Sequence, residues 1–106
     1  MLKDKYTFKL KQHQVVMLNS GMNHLMEDYQ EKISVEQLML IKILFKPATK
    51  LQEAFKWPKP ECKFTMNAIE ALAFLTAYKR KQIAHNTTSA QIATEIDKTI
   101  PVQPWP

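Results

Sequence analysis

The apolar positions along this chain change their period several times, and each change marks an element. From Val15 they recur at Leu18, Met22, Leu25 and Tyr29, three and four residues apart in turn, which places them on one stripe of a helix. The stripe predicts a first helix from about Leu10 to Lys32. Gly21 lies inside it, where glycine is worse than alanine by about 1 kcal/mol, and marks either a close approach of another helix or a tolerated defect.

A second stripe runs through Leu38, Ile41, Leu44, Phe45, Ala48, Leu51 and Phe55. Ser34-Val35-Glu36-Gln37 opens it as a capping box, the Ser34 hydroxyl accepting from an early amide while Gln37 reaches back. Met39, Leu40 and Ile43 make its first half apolar nearly all round, so that half is expected to be buried on several sides, within one chain or between two. Pro47 has no amide hydrogen to donate and is expected to kink the helix or split it near Phe45.

Trp57-Pro58-Lys59-Pro60 cannot continue a helix, because each proline disfavours α geometry in the residue before it. A third helix follows, with Ile69, Leu72, Phe74, Leu75 and Tyr78 on its apolar side and Ala68, Ala71, Ala73 and Ala77 between them, suited to close central packing. Its start reads as Asn67-Ala68-Ile69-Glu70, with Thr65 the competing cap. Thr88-Ser89-Ala90-Gln91 reads as the capping box of a fourth helix that buries Ile92, Ile96 and Ile100 and stops at Pro101.

Two segments have period two instead. Tyr6-Thr7-Phe8-Lys9-Leu10 and Cys62-Lys63-Phe64-Thr65-Met66 both alternate, and both lead directly into a helix, so residues 6–10 and 62–66 could pair as a short ribbon. The expected fold is therefore mostly all-α: a compact bundle of four to five helices, with or without this two-stranded ribbon, organised as one domain over residues 1–100 and a proline-rich tail over 101–106.

Composition narrows the picture. With 45% hydrophobic and 24% charged residues the chain belongs with folded proteins, and a single glycine argues against folds built from many hairpins. One cysteine, Cys62, excludes an internal disulfide framework and suits a reducing compartment. No stretch approaches the roughly 20 apolar residues of a membrane span, and the first residues lack the apolar run of a secretion signal. A cytoplasmic protein without membrane insertion is expected.

The formal charge is +5. Lys3, Lys5, Lys9 and Lys11 against Asp4 make the first eleven residues basic, the stretch from Glu27 to Glu36 is acidic, and residues 42–63 are basic again. Lys42, Lys46 and Lys50 step by four along the second helix and, with Lys79, Arg80 and Lys81, form a candidate polyanion-binding surface; the plainer alternative is a solvated polar face. Trp57 and Trp105 are candidate partner contacts. Trp105, in the P-x-x-P spacing Pro101 to Pro104, is expected either to pack back on the bundle or to serve as a docking peptide.

Catalytic chemistry finds little support. There is no phosphate-binding glycine loop, nucleophile elbow or zinc-protease motif. His24 and Asp28, with Glu70 as a further carboxylate, and Cys62 with His85 are the sets from which a metal or nucleophile site could be built. Convergence of either set is not expected, so no catalytic residue, metal or cofactor is assigned. A non-enzymatic helical module acting through contacts with a protein partner, self-association into a homodimer included, is the leading expectation. Sequence-tolerant nucleic-acid binding through a basic helical face is the alternative.

Overall fold

A computed structural model describes residues 2–27 and 33–101. Among them the order is β1 (Lys5–Lys11), α1 (Gln12–Glu27), α2 (Val35–Lys56), β2 (Glu61–Asn67), α3 (Ala68–Lys79) and α4 (Thr87–Asp97). The described residues are mostly helical, with four helices and a two-stranded antiparallel sheet. The two alternating segments pair antiparallel, with Tyr6 opposite Met66 and Leu10 opposite Cys62, and the ladder extends one residue further at each end.

Alternation gives the ribbon its two faces. Tyr6, Leu10, Phe64 and Met66 are buried, with Phe8 and Cys62 partly buried beside them. They join one continuous core with Leu18, Met22 and Leu25 of α1, Leu40, Leu44 and Leu51 of α2, Phe74 and Leu75 of α3, and Ile92 and Ile96 of α4. The Tyr6 hydroxyl accepts a hydrogen bond from the Lys3 amide and bonds the Thr99 hydroxyl, fastening β1 to the end of α4.

Each strand passes into its helix without a linker. At β2 the junction is a full capping box: the Asn67 side chain accepts from the Glu70 amide at 2.8 Å, and the Glu70 carboxylate accepts from the Asn67 amide at 2.9 Å. Asn67, not Thr65, is thus the cap. The ladder holds β1 extended through Lys11, so α1 begins two residues later than its stripe predicts. The end expected at Lys32 lies outside the described residues.

Helix α2 is not split at Pro47, and its apolar first half is not covered on every side within one chain. It runs unbroken from Val35 to Lys56 with Pro47 buried inside it, because packing against α1, α3 and β2 outweighs the one lost hydrogen bond. Leu40, Ile41 and Leu44 are buried, whereas Val35, Met39 and Phe45 are exposed, Phe45 to 65%. Phe55 of the same stripe and Ile69 of α3 are exposed as well. The chain has too few other elements to cover every side of α2. At its start the half of the box that forms is the bond from the Gln37 amide to the Ser34 hydroxyl, 3.1 Å.

The cap of α4 is Asn86, not Thr88. Its side chain accepts from the Ser89 amide at 2.9 Å and donates to the Met17 carbonyl of α1 at 2.9 Å. Thr88 and Ser89, read from sequence as the first residues of the box, are buried instead. The same loop explains Gly21. Ala84 donates its amide to the Gly21 carbonyl at 3.3 Å, and a Cβ on Gly21 would lie 3.1 Å from the Ala84 oxygen. The close approach is by residues 83–86 rather than by another helix.

Candidate nucleic-acid interface

The outer face of the ribbon carries the side chains that alternate with the buried ones: Lys5, Thr7, Lys9 and Lys11 from β1, and Glu61, Lys63, Thr65 and Asn67 from β2. All are exposed except Thr65, which is half-buried. Four of the eight are lysines and one is acidic. The register sets Lys9 directly opposite Lys63 and Thr7 opposite Thr65, whose hydroxyl oxygens are 3.4 Å apart. Among the described residues no carboxylate lies within ion-pair distance of Lys9 or Lys63. Like charges directly opposed across a ladder destabilise it.

Of the six basic residues singled out on the helices, two join this face. Lys46 and Lys50 line a shallow depression with Lys5, Thr65 and Asn67, which also contains Asp4 and Glu70. Lys50 further shares a depression with Lys59 and Lys63, rimmed by Trp57, which also contains Glu53 and Glu61. Trp57 is 74% exposed, at the C-terminal end of α2. Lys42 instead lies beside an apolar depression formed by Met26, Ile41 and Phe45.

Lys79 ends α3, Arg80 and Lys81 follow it, and acids engage two of the three. Lys79 is 3.5 Å from Asp97 at the end of α4, and Arg80 pairs with Glu36 in the first turn of α2. Lys81 is exposed, in a left-handed turn with φ 61°. Trp105 lies outside the described residues.

The residues considered for catalysis are dispersed. Cys62 is half-buried in β2, opposite Leu10. His85 stacks on Tyr78 with ring centroids 4.0 Å apart, and its Nε2 donates to the Tyr78 carbonyl at 2.8 Å. His24 is exposed, and Asp28 lies outside the described residues. Among the described residues no three His, Cys, Asp or Glu side chains come close enough to hold a metal ion. No helix among them is long and apolar enough to cross a membrane.

In the sequence Lys5, Lys9 and Lys11 stand only as part of a basic run, and Lys63 only as part of another, with nothing local to join them into one face. The signal that could have placed them is alternation. Once Tyr6 to Leu10 and Cys62 to Met66 are read as strands facing inward, the skipped positions belong to the other face by the same alternation. No family model matches the chain, and no curated protein or solved structure matches it.

Proposed function

We propose that this chain is a non-enzymatic nucleic-acid-binding module that uses the outer face of the β1–β2 ribbon, flanked by Lys46 and Lys50. The observation that carries the reading is the Lys9–Lys63 pair, two exposed like charges set against each other with no carboxylate among the described residues within ion-pair distance of either, Glu61 in the next row included. Phosphate relieves that repulsion, and a two-stranded ribbon is of a width that the DNA major groove admits. Lys79 and Arg80 are weaker contributors, since each must exchange its acidic partner for a phosphate. Lys42 and Lys81 are exposed and add to the field at longer range.

Fluorescence anisotropy with labelled duplex DNA across a salt series tests the proposal. Affinity should fall steeply as salt rises, and Lys9→Ala or Lys63→Ala should each reduce the log–log slope by about one. Undetectable binding at low ionic strength would remove the reading.

A second reading, contact with a protein partner or a second copy of this chain, draws on Val35, Met39 and Phe45, apolar side chains left exposed along α2. Trp57 would stand at the far end of such a contact. Light scattering at high micromolar concentration separates the two, because self-association through α2 predicts a dimer that Phe45→Glu dissolves. Either reading suits a cytoplasmic protein.

A further inference from the structure

The two halves of the chain repeat one architecture without repeating a sequence. β1–α1–α2 and β2–α3–α4 have the same order, and each strand leads into its helix with no intervening residue. Phe8 pairs with Phe64 at the centre of the ladder. A half-turn through that pair exchanges the strands, carrying Thr7 to the place of Lys63 and Lys9 to the place of Thr65. It likewise carries Lys5 to Glu61 and Lys11 to Asn67. At no outward position does the half-turn return the same residue.

The outer face therefore has a direction. Read across the ladder, its rows are Lys5 with Asn67, Thr7 with Thr65, Lys9 with Lys63, and Lys11 with Glu61. One side of the centre carries the two threonines beside Lys5 and the cap residue Asn67; the other carries the opposed Lys9 and Lys63 beside Lys11 and Glu61. Successive rows are about 6.7 Å apart, roughly two base-pair steps, so four rows span about six base pairs. Lysine donates well to the O6 and N7 acceptors of guanine, and the threonine methyl fits the methyl of thymine.

We infer that one copy of this chain binds duplex DNA in a single orientation, at a non-palindromic site with G·C pairs under Lys9 and Lys63 and A·T pairs under Thr7 and Thr65. The inference rests on the nucleic-acid reading above and adds to it base preference, polarity and stoichiometry. A twofold assembly of identical strands would present the same row on both sides of its centre. This ribbon does not.

Selection from a randomised duplex library, followed by anisotropy and light scattering on the enriched duplex, tests it. The expected result is a motif of about six base pairs without inverted symmetry, occupied by one chain. Exchanging its G·C and A·T halves should weaken binding about 5- to 150-fold. Lys9→Ala should relax the preference at its own position, with Lys9→Arg restoring it, whereas Lys50→Ala should weaken all duplexes alike. A palindromic motif, two chains per site, or preference for single-stranded DNA or RNA would overturn the inference. Salt-sensitive binding to the library with no motif enriched would also overturn it, while leaving the nucleic-acid reading intact. Absence of binding at low salt would end both.

Discussion

The two faces of the ribbon share one set of backbone hydrogen bonds and have opposite demands on their side chains. The inner face, Tyr6, Leu10, Phe64 and Met66, is among the most buried parts of the molecule. The outer face places Lys9 against Lys63. Hydrophobic burial on one side supplies the stability that charge repulsion on the other side lowers, so fold and surface chemistry are set by alternate residues of the same strands. Substitutions on the two faces should then have separable effects.

The largest expected effect is on the inner face. Phe64→Ala leaves a cavity against the core and should lower unfolding free energy by about 3–5 kcal/mol in urea denaturation. A loss below about 1 kcal/mol would mean that the ribbon is not anchored as described. Next comes Tyr6→Phe, which keeps the ring and removes the hydroxyl that bonds Thr99 and Lys3. It should destabilise by about 1 kcal/mol, and Thr99→Val in the same background should add little.

The outer face should respond in the opposite sense. Lys63→Glu turns an opposed like-charge pair into an attractive one, so stability should rise by about 0.2–1 kcal/mol while affinity for DNA collapses. A variant that is both less stable and unimpaired in binding would contradict the division between faces. The smallest effect is expected away from the ribbon. Arg80→Ala removes an exposed ion pair with Glu36 and should change stability by roughly half a kcal/mol or less, with the salt slope of binding nearly unchanged.

How far these features were legible in the sequence follows from the range of the forces behind them. The antiparallel register of the ribbon, with Leu10 opposite Cys62, joins residues distant in sequence and left no local sign, but that both segments are strands was readable because alternation acts over a few residues. The Asn67 cap was readable for the same reason, its partner Glu70 being three residues away. The cap of α4 was misplaced because Asn86 is fixed partly by the Met17 carbonyl, on a helix distant in sequence. Continuity through Pro47 likewise depends on neighbours that a local rule does not include. Exposure of Phe45 and Ile69 reflects which faces the other helices reach. As for the candidate site, Lys46 and Lys50 lie next to the ribbon, but the engagement of Arg80 by Glu36 joins residues from two helices and left no local sign. The architectural repeat was hidden because the half-turn pairs unlike residues throughout the outer face.

Pairing strands so distant in sequence also has a consequence in time. β1 cannot meet its partner until residue 67 has been synthesised, and at about 5–20 residues per second that delay lasts roughly 3–11 s. Throughout it, Tyr6, Phe8 and Leu10 belong to a strand with both edges open, the kind of segment that recruits other chains. Lys5, Lys9 and Lys11, alternating with those apolar residues, make such pairing repulsive. The lysines that face outward in the finished ribbon thus also protect the nascent chain from its neighbours before the ribbon exists.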